Sequence, residues 1–114
     1  MFVGTVRAHN DKGSVIQIDY EAYNEMAEDV IAEIENEMKA KWKLGKIKMV
    51  HRIGRLKVGE ASVAVAVSSE HRKEAFEACR YGIDNIKSRV PIWKKEFMAS
   101  GEGWVEGVLP AGGV

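Results

Sequence analysis

Apolar residues recur every four positions in the first half of the chain, and this spacing constrains the fold more than any other feature. The repeat consists of Met26, Val30, Ile34 and Met38, with Ala27 and Ile31 beside it. Residues four apart lie on one face of an α-helix, so the repeat predicts an amphipathic helix over residues 24–42. Its polar face is expected to turn three glutamates, Glu28, Glu35 and Glu37, towards water. Gly45 ends the pattern.

Shorter segments on both sides of this helix have the composition and alternation of β-strands. They cover residues 2–6, 15–20, 47–53, 61–68, 92–97 and 103–108. A polar turn over residues 9–13 is expected to join the first two strands. A second helix should follow Ser68 or Ser69, either of which is a suitable N-cap, and should stop before Pro91.

The order β-β-α-β-β-α-β-β predicts a single α+β domain over residues 1–114. Two main helices would pack on a largely antiparallel sheet. Residues 109–114, rich in glycine, are expected to form a frayed tail.

Several kinds of site and location are disfavoured by composition. The single cysteine, Cys79, permits no intrachain disulfide and no cysteine-based metal cluster. Its place on the apolar side of the second helix, with Phe76 and Ile83, predicts an inert buried thiol. The histidines lack ligand spacing, so neither a metal nor a cofactor is expected. The longest strongly apolar stretch, residues 61–67, is too short to cross a bilayer and no signal peptide is recognised, so a cytoplasmic location is expected.

Charge is segregated along the chain although the net charge is zero. Every charged residue from Asp19 to Glu37 is acidic, and every one from Lys39 to Lys57 is basic, apart from the ambiguous His51. Such segregation favours an anion site at one place and a basic partner at another. The alternative is that these residues form solvated faces of helices and edge strands.

A set of mostly cationic residues lies near the predicted ends of strands and helices. It consists of Arg7, His71, Arg72, Lys87, Lys94 and Lys95, with Glu96 beside the last of them. Cations in the first turn of a helix oppose its dipole, which makes sense where a phosphate or carboxylate binds. The alternative readings are that Lys87 complements the dipole at the end of its helix, and that Arg72 pairs with a surface acid.

Many of these residues belong to segments that resemble the large, catalytic subunit of molybdopterin synthase. The segments are residues 2–10 (FVGTVRAHN), 44–45 with 51–54 (LG and HRIG), 69–72 with 75–76 (SEHR and AF), 87–96 (KSRVPIWKKE) and 104–106 (WVE). They occur in the family's order and cover nearly the whole chain. The most specific are residues 4–10 and 87–94, whereas HRIG alone would identify nothing.

The resemblance implies an α/β hammerhead-like fold and a sulfurtransferase that acts in molybdenum cofactor biosynthesis. Such subunits form a central homodimer with a small ubiquitin-like sulfur carrier at each end, which gives a heterotetramer. The carrier's C-terminal Gly-Gly thiocarboxylate enters the large subunit and delivers sulfur, in two rounds, to cyclic pyranopterin monophosphate. Neither nucleic acid nor a membrane is implied as a partner.

Matching the motifs residue by residue implies substrate contacts for one set of positions. The set is Thr5, Val6, Arg7, His71, Arg72, Lys87, Lys94, Lys95 and Glu96. Lys87 is expected to shuttle protons or form a transient covalent link, with Lys94 as its catalytic companion, because a desolvated lysine among cations has a lowered pKa. Arg7, His71 and Arg72 are then expected to clamp the anion.

Helix geometry bears on how these residues could meet. Arg72 and Lys87 are fifteen residues apart, which corresponds to about 22 Å along one straight helix. Either the helix breaks, or His71 and Arg72 reach the site from a neighbouring subunit. We favour a site completed across the interface of a dimer.

The chain departs from the family pattern at both ends. Members carry a further stretch before the first motif, whereas this sequence begins almost at that motif, and many carry an arginine shortly after the Trp-Val-Glu motif, where this chain has Gly107 and Val108. The alternative to an enzyme is a non-catalytic module of the same fold that binds a phosphorylated ligand or a partner's tail. A small RNA-binding domain, suggested by the basic run over residues 39–57, fits poorly with the neutral total charge.

Overall fold

The computed structural model describes residues 1–99 and 101–105, and its elements follow the predicted order with two further short strands. The first half consists of β1 (Phe2–Thr5), β2 (His9–Asn10), β3 (Gly13–Ala22), α1 (Asn24–Lys41) and β4 (Ile47–His51). The second half consists of β5 (Gly54–Lys57), β6 (Ala61–Val67), α2 (Arg72–Arg89), β7 (Ile92–Met98) and β8 (Gly101–Val105). The expected frayed tail, the end of the last predicted strand and the Gly107-Val108 departure lie outside the described residues.

The strands form two sheets in which every described pairing is antiparallel. One sheet has the order β1-β6-β4, and the other has the order β2-β3-β7-β8 with β5 also paired to β3. The predicted fold class, two helices packed on antiparallel β-structure, is therefore confirmed. The expected sheet is divided in two, and the candidate site lies where the second sheet meets the end of α2.

The two helices cover the three-stranded sheet and enclose the larger core. From α1, Ala27, Ile34 and Met38 are buried, as the repeat of four predicts, although Met26 at the start of the same repeat is 42% exposed. A second core cluster underlies the other sheet and consists of Val6, Val15, Ile18, Tyr20 and Leu56. No helix in the described part of the chain is long and apolar enough to span a membrane.

A glycine allows α2 to approach the sheet closely. A Cβ at Gly82 would lie 3.2 Å from both the Met49 sulfur and the Val65 Cγ1, so a side chain there would force the helix outward. The helix therefore follows the sheet surface without a break from Arg72 to Arg89. This continuity excludes the first of the two options for Arg72 and Lys87, a broken helix.

Two local predictions differ from the structure. Residues 9–13 are a hairpin and not only a turn, since β2 pairs with the start of β3. The N-cap of α2 is His71 and not a serine. The Ser68 hydroxyl accepts a hydrogen bond from the Lys46 amide at 2.7 Å, and the Ser69 hydroxyl donates to the His71 carbonyl, so both serines are engaged elsewhere.

Candidate active site

A cationic cavity of about 320 Å³ lies between the end of β1, the paired strands β3 and β7, and the last turns of α2. Its volume is at the lower end of the range for small-molecule sites. Most of the predicted site residues line it, namely Thr5, Val6, Arg7, Lys87, Lys94 and Glu96. These six residues come from three segments far apart in sequence, the end of β1, α2 and β7, which the fold brings to one place.

The backbone of Val6 fixes the start of the segment that carries Arg7. Its amide donates to the Glu60 carbonyl and its carbonyl accepts from the Gly59 amide, both at 2.9 Å. The Val6 side chain is buried in the smaller core. Because both backbone groups are bonded to the turn before β6, Arg7 begins from a fixed position at the rim of the cavity.

The alternation of β7 sends Lys94 and Glu96 into the cavity together. Lys94 pairs with Tyr20 and Glu96 pairs with Ile18 on β3, so their side chains share one face of the sheet. Glu96 is only 5% exposed, and it accepts a hydrogen bond of 2.6 Å from the Asn10 amide. A buried carboxylate therefore lies among the cations and is held by a neutral donor from β2.

Lys95 lies on the opposite face of the same strand. It pairs with Asp19, whose carboxylate binds Arg55 at 2.9 Å, and its ammonium lies 5.5 Å from the centre of the Phe97 ring. The Arg55 guanidinium, followed by the charge of Lys95, lowers the pKa of Asp19. Within one chain Lys95 does not line the cavity, so its contact with substrate stays a prediction.

Lys87 enters the cavity from the last turn of α2. Much of its side chain is exposed, yet its ammonium group is partly removed from water. This burial, followed by the charges of Lys94 and Arg7, lowers the pKa of Lys87. The direction agrees with the expectation for a desolvated lysine among cations.

A second, smaller cavity of about 100 Å³, called the narrow cavity below, shares Lys87 and Lys94 with the first, which is called the wide cavity. Its walls are mostly apolar or aromatic and consist of Tyr20, His51, Ile86, Val90, Ile92 and Trp93, together with Lys87 and Lys94. The two lysines, together with Tyr20, therefore line both cavities. Asn10 in the wide cavity and His51 in the narrow one belong to segments that resemble the family, but the sequence predicts no role for either residue.

His71 and Arg72 lie at the opposite end of α2, outside both cavities. Arg72 instead borders an open, largely apolar hollow of about 600 Å³. The hollow also includes Met1, Phe2, Val67 and Phe76, of which Phe76 is 70% exposed. The predicted apolar face of α2 is thus partly confirmed, since Ile83 is buried whereas Phe76 is not.

The cysteine lies in the core and lines neither of these two cavities. The Cys79 thiol is buried as predicted and lies 3.4 Å from the Val65 carbonyl, to which it donates. Among the described residues, no three of the types His, Cys, Asp and Glu form a group that could hold a metal ion. The ionisable side chains that line the two cavities are two amines, a guanidinium, the imidazoles of His9 and His51, a phenol and one carboxylate.

Comparison with known proteins gives a consistent family. The family model described as MoaE protein matches residues 1–89. The molybdopterin synthase catalytic subunit of Bacillus subtilis (strain 168) is 47% identical over 104 residues, which are 91% of this chain. The chain spans 66% of that relative's length, just under two thirds.

Solved structures share the fold. Molybdopterin synthase from Staphylococcus aureus superposes with a TM-score of 0.87 at 43% identity, over 92% of this chain and 77% of that chain. A complex of subunits 1 and 2 of molybdopterin-converting factor from Helicobacter pylori 26695 gives a TM-score of 0.75 at 23% identity, over 92% and 68% of the two chains.

Proposed function

Because the chain belongs to the MoaE family of molybdopterin synthase catalytic subunits, we propose that it transfers sulfur to a pterin phosphate. The donor is the C-terminal Gly-Gly thiocarboxylate of a small carrier protein, and the acceptor is cyclic pyranopterin monophosphate. Two rounds of transfer give the dithiolene of molybdopterin. The compartment we propose is the cytoplasm, where a free thiol such as Cys79 stays reduced.

The presence of Lys87 and Lys94 in the walls of two cavities of different size supports this proposal most directly. The wide cavity carries Arg7 and offers fixed cations to a phosphate. The narrow one suits an extended Gly-Gly tail, since glycine is the thinnest residue a peptide can present. A sulfur donor in the narrow cavity and a pterin acceptor in the wide cavity would meet at the two lysines, which line both.

The charge of the wide cavity suits the reaction. Opening the cyclic phosphate turns a diester into a monoester, which carries more negative charge. Fixed cations stabilise such developing charge better than water does, because they need no reorganisation. Lys87, with its lowered pKa, is the group we assign to proton transfer or to a transient covalent link, and Lys94 is its companion.

A second copy of the chain completes the site in this proposal. His71 and Arg72 lie at the far end of a continuous helix and cannot reach the cavity of their own chain. The apolar hollow beside them, with an exposed Phe76, is suited to burial against another copy. The partners are therefore a second subunit and, by analogy with the two-subunit Helicobacter pylori complex, a small carrier subunit.

The test is a reconstitution. Purified chain, thiocarboxylated carrier and cyclic pyranopterin monophosphate are mixed, and the dithiolene product is measured by mass spectrometry. We expect product from the unsubstituted chain and a loss of roughly 10²-fold or more in Lys87→Ala. Lys39→Ala is the matched control, because Lys39 is an exposed lysine of α1 that lines neither cavity.

Two results would contradict the proposal. Near-normal turnover by Lys87→Ala would remove that residue from the chemistry. A stable complex with carrier and pterin that gives no product would favour the alternative, a non-catalytic module that binds a phosphorylated ligand or a partner's tail.

A further inference from the structure

The narrow cavity contains an imidazole that the proposed function leaves unused. His51 is the last residue of β4, and its ring lies in the cavity wall with Lys87 and Lys94. The Tyr20 ring packs edge-on against it, with 5.0 Å between the ring centres. The imidazole is therefore held in place beside the two lysines.

One hydrogen bond fixes which ring nitrogen can accept a proton. Nδ1 lies 2.8 Å from the Arg52 carbonyl oxygen. A carbonyl can only accept, so Nδ1 must carry the hydrogen, and in the neutral ring the lone pair is on Nε2. His51 therefore has its donor engaged by the backbone and its acceptor nitrogen available.

The surroundings favour the neutral form of this ring. Burial is the largest effect that lowers the pKa of His51, and the charges of Lys87 from α2 and Lys94 from β7 lower it further. The bond to the Arg52 carbonyl acts in the opposite direction. Tyr20, from β3, faces the ring as an uncharged phenol because burial raises its pKa.

Sulfur transfer from a thiocarboxylate needs such a base. When the sulfur bonds to a carbon of the pterin, an oxygen substituent leaves that carbon with its electron pair, and the carrier becomes joined to the pterin through a thioester. The carrier can leave as a carboxylate only if it gains an oxygen atom, and water is the source. A group must then take a proton from that water.

We propose that His51 is the general base that activates water to release the carrier from this thioester. The water oxygen bonds to the acyl carbon while one of its protons passes to Nε2. The C–S bond breaks with its electron pair on sulfur, which takes the proton back from the imidazolium. The products are a carboxylic acid on the carrier and a thiol on the pterin, with no change of oxidation state.

The other titratable groups of the narrow cavity are less suited to this step. An ordinary imidazole is mostly neutral at pH 7, and lowering its pKa makes it more so. The pKa of Lys87 is lowered as well, but from the ordinary value of a lysine, which lies far above that of an imidazole. Tyr20 stays protonated. Glu96 lines the wide cavity and is bonded to Asn10.

The role of His51 as a general base rests on the proposed function, and one experiment distinguishes a failure of the His51 role from a failure of that function. His51→Asn keeps an amide donor near the place of Nδ1 and removes Nε2. Single turnovers with thiocarboxylated carrier and cyclic pyranopterin monophosphate are stopped in acid and analysed by mass spectrometry. We expect dithiolene to fall by roughly 10²-fold or more while a carrier–pterin adduct accumulates, cleavable by hydroxylamine as a thioester is.

A second variant guards against a merely structural effect. His51→Ala leaves space for a small base, so added imidazole should restore turnover in proportion to its unprotonated fraction as pH is varied. Normal dithiolene formation by His51→Asn would overturn the His51 role alone. So would lost turnover with neither adduct nor rescue. If the unsubstituted chain gives no dithiolene, the proposed function fails and the role fails with it.

Discussion

Arg89, the last residue of α2, donates to both carboxylate oxygens of Glu37 on α1, at 2.6 and 2.8 Å. Tyr81 donates to the same carboxylate. A glutamate that the helical pattern assigns to the solvent side of α1 thus ties the two helices together. Lys87 lies two residues before Arg89, so the ion pair restrains the end of the helix that carries this lysine.

The Glu37–Arg89 pair should make stability depend on pH. The Arg89 guanidinium, and then the Tyr81 hydroxyl, lower the pKa of Glu37 to about 2. A carboxylate with a lowered pKa contributes stability above its unfolded value and loses it as pH falls towards the folded value. We expect the free energy of unfolding, measured in urea between about pH 5 and pH 2, to fall less steeply in Glu37→Gln. Glu35→Gln is the control, and an unchanged slope in Glu37→Gln would refute the expectation.

The lowered pKa of Lys87 should respond to the charges beside it. Since Lys94 and then Arg7 lower it, Lys94→Met should raise the pKa of Lys87 more than Arg7→Gln does. The measurement is competitive acetylation across a pH series, with Lys87 followed by mass spectrometry. Lys39 in the same samples serves as the internal reference. A pKa of Lys87 that stays constant in both variants would show that burial alone sets it.

Mixed dimers should recover activity that each single variant lacks. If Arg72 acts on the cavity of a partner subunit, a dimer of one Arg72→Ala and one Lys87→Ala chain has one intact site and one doubly defective site. Random mixing of equal amounts should therefore give about a quarter of the unsubstituted activity per chain. Refolded mixtures assayed for dithiolene test this, and activity no higher than that of the separate variants would show that Arg72 does not complete the cavity of a partner subunit.

Burying a charge in the hollow beside Phe76 should separate subunits. Phe76→Glu places a carboxylate in a largely apolar surface that we assign to the dimer, and an unpaired buried charge is strongly unfavourable. We expect dimer dissociation to increase about 10-fold or more, measured by light scattering during gel filtration. Val50→Glu makes the same change at an exposed site on β4 and should leave the mass unaltered. Equal masses for both variants would exclude this hollow from the interface.

Adding one carbon to β1 should strain the sheet that leads to Arg7. A Cβ at Gly4 would lie 2.9 Å from the Val63 Cγ1, which is closer than such atoms approach. Gly4→Ala should therefore reduce the free energy of unfolding by about 1–3 kcal/mol, and adding Val63→Ala should cost less than the sum of the two single changes. Chemical denaturation of the three variants tests this. Strict additivity would mean that the strand moves away instead.

Local patterns were sufficient for the helices and for much of the wide cavity. The repeat of four in α1 and the stop before Pro91 required only helical geometry, and the alternation of β7 put Lys94 and Glu96 on one face. The role proposed for Lys87 came from the resemblance to the family. These features depend on neighbours a few residues away, which is why they can be predicted from one sequence.

Contacts between distant segments set the rest. His51 lines the narrow cavity because α2 and β7 bring Lys87 and Lys94 close to the end of β4. The pattern of residues 47–53 does not predict this cavity. The serines before α2 have the residue type of an N-cap. The Ser68 hydroxyl instead accepts a hydrogen bond from the Lys46 amide, 22 residues away, which the local pattern does not show. The helix offset of Arg72 from Lys87 was an exception, since a distance along one helix can be calculated in advance.

The burial of the Cys79 thiol has a consequence for the supply of sulfur. It is the single cysteine in the chain, and its hydrogen lies against the Val65 carbonyl inside the fold. Under the proposed function, a thiol buried in this way could not store sulfur between reactions, so every transferred atom would have to arrive on a freshly charged carrier. Each dithiolene would then consume two such carriers, and the rate at which carriers are recharged would set an upper limit on the output of the proposed enzyme.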